Sequence, residues 1–279
     1  MPFRVEDLPV SGRYNLHSHT EFCDGHAPMT VMADAAVAAG MELYGFSPHS
    51  PVPFESPCNM CYDDVDNYLD TVRRIREHHA GSGCRFLASM EIDYFQGLTG
   101  AASDYFRNLP LDYRLSSVHF IPDFNGEPVD IDGSAERFRR NMSQRFRNDL
   151  DYVVDTFYSQ SRAMLAEGAF DILCHLDKVA QNAAAYHPGV EEGEHYRACV
   201  DAYIADIIAS GIIVELNTKA RTRLGRFFPR EDILERLVRA GVPVVVNSDA
   251  HDPALIDASR AEGLELVRRF IVEPALKNL

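Results

Sequence analysis

Short apolar runs rich in β-branched and aromatic residues alternate along the chain with longer amphipathic segments. Such runs are typical of buried strands, whereas apolar positions spaced three and four residues apart predict helices. Seven strands are predicted on this basis: Arg13–Leu16, Glu42–Ser47, Cys84–Met90, Tyr113–Val118, Phe170–Cys174, Ile212–Leu216 and Pro243–Asn247.

Helical patterns fill the intervals between these strands. Thr30 can cap a helix that runs through Ala39, and Gly40 would end it. A second helix is predicted over Asp63–Ala80, where apolar side chains recur at helical spacing before Gly81. Further helices are predicted over Ala135–Glu167 in one or two pieces, Glu194–Ser210, Arg230–Ala240 and Ala258–Phe270.

Strand and helix alternate seven times without a linker, an internal repeat or a break in composition. This alternation favours a parallel sheet with helices packed outside it. We therefore predict the α/β class and a single domain over residues 1–279, whose strands form a closed or nearly closed (β/α)7 TIM-like barrel.

The composition, with 46% hydrophobic and 25% charged residues, is that of a globular protein. The net charge of −15 argues against a nucleic-acid partner, because such proteins usually present a basic face. Membrane partners are not expected, since no apolar run approaches the roughly 20 residues that a span requires. The N-terminus lacks an apolar secretory segment, and we interpret the six cysteines, including Cys58 and Cys61, as reduced thiols of a cytoplasmic protein.

Histidines and acidic residues follow the predicted strands. Six of the eleven histidines fall within three or four residues of a predicted strand's C-terminal end. In a barrel these ends meet on one face, where loops close over the active site. The residues concerned are His17, His19, His49, Glu91, His119, His175, Asp249 and His251.

Imidazole and carboxylate groups are the ligands that zinc, manganese and iron prefer. In an extended segment His17 and His19 point to the same side, because side chains alternate with a period of two, so both can reach one ion. Asp249 and His251 have the same spacing. One buried histidine is more often a hydrogen-bonded core residue than a ligand, but six occupied strand ends together favour a metal centre.

The motifs around these residues resemble those of the PHP (polymerase and histidinol phosphatase) superfamily, and within it the histidinol-phosphatase type. The early HxHT and the late SDAH are the most specific of them, and Ser89 stands where the family often has glycine. The matching stretches run in the family's order from Tyr14 to Pro253: YNLHSHTEFCDGH, LYGFSPHSPVPF, FLASMEIDYF, YRLSSVHFI, DILCHLDKV, VELNTKARTR and VVVNSDAHDP.

The resemblance implies a distorted seven-stranded barrel that holds up to three divalent ions, whether zinc, manganese or iron. It assigns the ligands in three sets. The first set is His17, His19, Glu91 and Asp249. The second set shares Glu91 and adds His119 and His175. The third set is Asp24, His49 and His251, with His26 as the alternative to Asp24.

Phosphate-ester hydrolysis follows from such a centre. A water molecule that bridges two cations loses a proton near neutral pH and becomes a nucleophile. Cations a few ångströms apart also stabilise the negative charge that develops on the phosphate oxygens. We assign Glu91, Asp249 and His251 to catalysis as well as to metal binding. Neither a GxSxG motif nor a P-loop motif is present.

The sixth predicted strand has no metal ligand at its end and is followed by Lys219–Arg226, the most basic run of this acidic chain. A guanidinium binds a phosphate dianion through a bidentate fork. Arg223 matches a basic position of the histidinol-phosphatase type and is predicted to bind the substrate, although a solvated loop is the alternative. Asp177 is a candidate hydrogen-bond partner of a ligand histidine, because it lies two residues after His175.

The predicted function is that of a histidinol-phosphatase, which hydrolyses the small phosphorylated substrate L-histidinol phosphate in histidine biosynthesis. Two alternatives stay open. One is a PHP phosphoesterase that acts on another small phosphate ester or on nucleotides, and the other is a non-catalytic metal-binding protein. The sequence does not indicate an oligomeric state.

Overall fold

A computed structural model describes residues 3–277 of the chain. Its strands are β1 Tyr14–Asn15, β2 Leu43–Phe46, β3 Arg85–Ala88, β4 Glu91–Asp93, β5 Leu115–Ser117, β6 Phe120–Pro122, β7 Pro128–Asp130, β8 Ile172–Leu173, β9 Ile213–Asn217 and β10 Val244–Asn247. Its α-helices are α1 Met29–Ala38, α2 Val65–His78, α3 Asp104–Asn108, α4 Ala135–Gln144, α5 Leu150–Glu167, α6 Val179–Tyr186, α7 Glu194–Ser210, α8 Arg221–Leu224, α9 Glu231–Arg239 and α10 Arg260–Lys277. Single 3₁₀ turns cover Val5–Asp7, Tyr62–Asp64, Val190–Glu192 and Pro253–Leu255.

The parallel strands form two sheets, in the orders β1-β2-β3 and β10-β9-β8-β5-β4. One isolated parallel bridge between Ser18 and Ala250 joins the β1 side to the β10 side, and another between His49 and Glu91 joins the β2 side to β4. The predicted α/β class with parallel strands is confirmed. Full closure into a barrel and the single-domain assignment stay predictions.

Every parallel strand except β4, or a residue beside it, contributes to one buried apolar cluster, which is separate from the larger cluster under the helices. Its members are Tyr14, Leu16, Leu43, Leu87, Tyr113, Leu115, Ile172, Cys174, Ile213 and Val245. Alternate residues of a strand face opposite sides, so the remaining strand residues pack against the helices. This cluster supports the strand ends that carry the predicted ligands.

Each predicted strand overlaps an observed strand, although β9 runs one residue beyond the predicted end at Leu216, and the third is followed by a second short strand, β4, that begins at Glu91. Helix α7 has the predicted bounds, and the segment 135–167 divides into α4 and α5, with Asp149 capping α5 at Tyr152 N. The predicted cap at Thr30 is wrong. Helix α1 begins at Met29 after Pro28, because the fixed φ of proline suits a helix start.

The sequence patterns did not predict the antiparallel hairpin β6–β7 or the helices α3 and α6. The hairpin follows His119 directly, and the backbone N–H of Ile131 donates to the carbonyl of His119 at 3.0 Å. These elements extend the wall around the strand ends. Within residues 3–277, no helix combines the length and the apolar character that crossing a membrane requires.

Candidate metal centre

The ends of the parallel strands bring the predicted ligands to one cavity of about 230 Å³. The side chains that line it include Asp24, His49, Glu91, His119, His175 and Asp249. His17 and His19 are buried next to it, and His251 lines an adjoining, wider cavity.

His17 and His19 share one polar corner with Glu91 and Asp249. The Nε2 atom of His17 lies 3.1 Å from His19 Nε2, 3.3 Å from Glu91 Oε2 and 3.8 Å from Asp249 Oδ1. The Nε2 atom of His19 lies 3.6 Å from the same Glu91 oxygen and 3.1 Å from the same Asp249 oxygen. Ligand atoms bound about 2.0–2.1 Å from a tetrahedral ion lie about 3.3 Å apart. The atoms of His17, His19 and Asp249 lie within 4.8 Å of one another and so can share one ion, and Glu91 Oε2 approaches both imidazoles of this group.

Glu91 turns its other oxygen to a second pair of histidines. Its Oε1 atom lies 2.7 Å from His175 Nε2 and 3.5 Å from His119 Nε2. The two oxygens thus face different sets of imidazoles, with His17, His19 and His49 near Oε2 and His119 and His175 near Oε1. A carboxylate placed in this way can give one oxygen to each of two cations.

Asp24 lies with the third set of predicted ligands. Its Oδ1 atom is 3.3 Å from His251 Nε2 and 3.8 Å from His49 Nε2. With His19, these three residues make a group whose ligand atoms all lie within 4.8 Å of one another. His26, the alternative ligand, is exposed and lines the wider cavity instead.

Two buried carboxylates that the sequence patterns did not single out hold predicted ligand histidines. Glu215 Oε1 accepts a hydrogen bond from His17 Nδ1 at 2.7 Å, and Asp93 Oδ1 accepts one from His119 Nδ1 at 2.7 Å. A bond of this kind fixes the imidazole so that its Nε2 lone pair is free for a metal ion. Glu215 could have been recognised from the sequence, because it is a charged residue within the mostly apolar strand β9.

Asp177 does not contact a ligand histidine. It accepts hydrogen bonds from the backbone N–H of Arg230 at 2.9 Å and from Arg226 Nη2 at 3.3 Å. Its predicted role was therefore wrong, because the basic loop after β9 packs over this carboxylate. Asp177 fastens that loop to the turn that follows β8.

The surroundings set the protonation of the central groups. Burial acts to raise the pKa of the Glu91 carboxyl, but the imidazoles of His17, His119 and His49 outweigh it and hold this pKa well below its usual range. Burial lowers the pKa of His19 and of His49. At His17 and His119 burial acts to lower the pKa, but the neighbouring carboxylates outweigh it and raise the pKa of both, that of His119 to about 10. Metal ions bind the neutral imidazole, so an ion bound at these two residues would displace a proton from each.

A divalent metal ion fits this donor set on three observations. The buried carboxylates of Glu91 and Asp249 and the partly buried one of Asp24 need compensating positive charge. In the described part of the chain, the buried atoms Asp24 Oδ1 and His49 Nδ1 lie near His251 and Glu91 but make no hydrogen bond of favourable geometry. The backbone is also in the left-handed region at His175 and at Asp249, with φ values of 20° and 50°. Such conformations are costly and concentrate at functional sites.

A wider cavity of about 980 Å³ adjoins the ligand cluster. Arg223 is exposed on its wall, so it is accessible both to a substrate and to solvent. The other arginines of the loop are engaged elsewhere. Arg221 Nε donates to Glu262 at 2.9 Å, and Arg226 pairs with Glu191 at 3.1 Å and with Asp177.

Comparisons with known proteins agree with this geometry. The sequence profile of the PHP domain matches residues 15–219. A probable histidinol-phosphatase of Deinococcus radiodurans is 23% identical over 265 residues, which cover 93% of this chain and 94% of that protein.

Two solved structures share the fold. A candidate histidinol phosphatase of Listeria monocytogenes has a TM-score of 0.76 at 19% identity, covering 89% of this chain and 99% of that one. A histidinol phosphate phosphatase of Lactococcus lactis, complexed with zinc, L-histidinol and phosphate, has a TM-score of 0.59 at 16% identity, covering 93% and 94%. Since the PHP profile covers well over half of its length, this chain belongs to the PHP domain family.

Proposed function

We propose that this protein is a metal-dependent phosphomonoesterase that hydrolyses L-histidinol phosphate to L-histidinol and inorganic phosphate. The observation that carries the proposal is the position of Glu91, whose two oxygens face two separate sets of imidazoles. This is the arrangement that a two-metal phosphatase needs for a shared carboxylate.

The proposal assigns three divalent ions, zinc, manganese or iron, to the three ligand sets. His17, His19, Glu91 and Asp249 would hold the first. Glu91, His119 and His175 would hold the second. Asp24, His49 and His251 would hold the third. When bound, the ions supply a hydroxide nucleophile and stabilise charge on the phosphate oxygens.

The chain's own residues then position and protect the reaction. Glu215 and Asp93 keep two imidazoles in the orientation that leaves Nε2 free. Glu91 and Asp249 are almost completely buried, so their charge is weakly screened and acts strongly on bound cations. Arg223 offers a guanidinium to the substrate from the wall of the wider cavity.

The substrate assignment rests on relatives rather than on geometry alone. The Deinococcus radiodurans protein carries the name of a probable histidinol-phosphatase, and the Lactococcus lactis structure contains L-histidinol and phosphate. The wider cavity, of about 980 Å³, has room for a small phosphorylated molecule next to the ligand cluster. A small substrate also suits the net charge of −15 better than a polyanion does.

Phosphate release from a panel of esters would test the proposal. Metal-loaded protein should act on L-histidinol phosphate with the highest kcat/KM, ahead of sugar phosphates and nucleotides. The matched control is Glu91→Gln, which keeps the side-chain shape and should be nearly inactive. A clear preference for another ester would overturn the substrate, and no release from any ester by metal-loaded protein would overturn the phosphatase itself.

A further inference from the structure

The chain has few lysines for its content of basic residues. Of its 27 lysines and arginines, three are lysines: Lys178, Lys219 and Lys277. Lys178 and Lys219 both line the 230 Å³ cavity of the ligand cluster and the wider cavity beside it. A chain that uses arginine almost everywhere therefore has two of its three ammonium groups at the passage between these cavities.

Neighbouring parallel strands position the two lysines. Lys178 follows β8, and Lys219 follows β9, which pairs with β8 from Ile172 onwards. The backbone N–H of Lys178 donates to the carbonyl of His175 at 2.9 Å. The backbone N–H of Lys219 donates to Asn217 Oδ1 at 3.0 Å, and the amide of Asn217 in turn donates to Asp249. The backbone of Lys178 is thus hydrogen-bonded directly to the predicted ligand His175, and that of Lys219 is linked through Asn217 to the predicted ligand Asp249.

The Lys178 ammonium is buried with few acceptors. Its side chain is 9% exposed, and its Nζ atom lies 3.4 Å from Asp132 Oδ1 and 5.1 Å from the centre of the Phe228 ring. An ammonium has three N–H donors, and a buried charge is costly unless its donors are used. The Asp132 carboxylate and the Phe228 ring do not use all three N–H donors of Lys178. Since Lys178 lines the cavity, an anion bound there can accept from the remaining donor.

The Lys219 ammonium lies against predicted metal ligands. Its Nζ atom is 3.1 Å from His251 Nε2 and 3.3 Å from Asp249 Oδ1. The His251 Nε2 lone pair can accept from Lys219 or bind a metal ion, but it cannot do both. When a metal ion binds His251 Nε2, Lys219 loses this acceptor. One N–H donor of its ammonium group then becomes available to an anion at the ligand cluster.

Lysine suits this position for a physical reason. An ammonium is a compact point charge on a flexible stem, whereas a guanidinium is a wide planar fork. The compact group suits the place of Lys219, whose Nζ atom lies 3.1 Å from His251 Nε2 and 3.3 Å from Asp249 Oδ1. The same loop contains arginines, but Arg221 donates a hydrogen bond to Glu262 and Arg226 forms an ion pair with Glu191.

We propose that Lys178 and Lys219 form a two-lysine clamp that binds the phosphate group at the passage between the cavities. The inference rests on the proposed function. The clamp holds the phosphoryl group together with Arg223, which lines the same wider cavity, and the organic part extends into that cavity. The clamp adds two substrate-binding residues to Arg223, and one of them, Lys178, lies outside the basic loop.

The test uses Lys178→Met and Lys219→Met in the metal-loaded protein, with inorganic phosphate as the probe. Phosphate affinity measured by calorimetry should fall roughly 10- to 150-fold in each variant, the range of a lost charge-assisted hydrogen bond. Metal content per chain should stay at the wild-type value. The inhibition constant of phosphate in the esterase assay should rise by the same factor as the dissociation constant.

Three control variants separate the clamp from a structural role. Arg162→Gln removes one positive charge from a surface pair with Asp206 and should leave phosphate affinity unchanged. Asp132→Asn removes the partner of Lys178 but keeps the ammonium, so phosphate affinity should be retained or increased. Lys219→Arg keeps the charge in a wider group and should restore only part of the affinity.

The outcomes distinguish this proposal from the proposed function. Wild-type phosphate affinity in both lysine variants, with metal content intact, would overturn the clamp even if the wild-type protein hydrolyses esters. Loss of affinity in Asp132→Asn equal to that in Lys178→Met would show that the ion pair, not the ammonium, matters. Weakened phosphate binding in both lysine variants would support the clamp even if no ester is hydrolysed. Should Lys178→Met fail to fold, the half-exposed Lys219 decides the question alone.

Discussion

Glu215 Oε1 lies 2.7 Å from His17 Nδ1, and neither side chain is accessible to solvent. The same carboxylate accepts from Asn247 Nδ2 at 3.0 Å, from Asn217 Nδ2 at 3.1 Å and from the backbone N–H of His175 at 3.3 Å. It therefore links His17 of the first ligand set to the backbone of the second and, through Asn217, to Asp249.

Glu215→Gln should weaken metal binding. The amide keeps the size of the carboxylate but brings an NH₂ group among N–H donors, so at least one contact is lost and His17 is less firmly oriented. Affinity for the ions should fall roughly 10- to 100-fold, the usual effect of such a change. Titration with a competing chelator measures it, and the exposed Glu42→Gln is the matched control. Unchanged affinity would refute the positioning role.

Glu91→Gln should lose metal from two positions at once. A carboxylate gives one oxygen to each cation, whereas the amide offers a single, weaker oxygen. Elemental analysis should show fewer ions per chain, together with a large loss of kcat. Wild-type metal content with wild-type turnover would mean that Glu91 does not bridge.

Removal of the ions should abolish hydrolysis and lower the melting temperature. Ions that bind only the folded chain stabilise it by about 2.7 kcal/mol per site when their free concentration is 100 times Kd. Zinc, manganese or iron added after chelation should restore activity and stability together. A verified metal-free sample with full activity would exclude a metal-bound nucleophile.

Arg223→Ala should reduce substrate affinity without changing metal content. The lost charge-assisted contact is worth roughly 1.5–3 kcal/mol, or about 10- to 150-fold in kcat/KM. Arg223→Lys should recover part of this loss, because the ammonium keeps the charge but not the fork.

Arg221→Ala is the matched control in the same loop, since Arg221 is held by Glu262 and Gly225 away from the cavity. It should keep wild-type kcat/KM. Equal losses in the two variants would point to the loop as a whole, and no loss in Arg223→Ala would remove Arg223 from the substrate site.

Strand positions and strand-end histidines could be predicted from the sequence, because apolar runs and isolated polar residues are local signals. The hydrogen-bond partners of buried polar residues, by contrast, often lie far away in the sequence and leave no local signal. Glu215 and His17 are 198 positions apart, and only the pairing of distant strands reveals their contact. The error at Asp177 has the same origin, because Arg226 and Arg230 reach it from a loop about 50 residues away. The hairpin β6–β7 was missed because each of its strands, Phe120–Pro122 and Pro128–Asp130, contains a proline, which weakens a strand signal in the sequence.

The two bridges that join the sheets, Ser18 to Ala250 and His49 to Glu91, are made by the site's own segments. Ser18 and Ala250 each stand between two predicted ligands, and His49 and Glu91 are ligands themselves. Both joints are made by backbone groups, such as the N–H of His19 with the carbonyl of Ala250 at 2.8 Å and the N–H of Ser50 with the carbonyl of Glu91 at 2.9 Å. A ligand side chain can therefore be exchanged without separating the sheets, whereas a shift of either joint would displace the predicted ligands beside it.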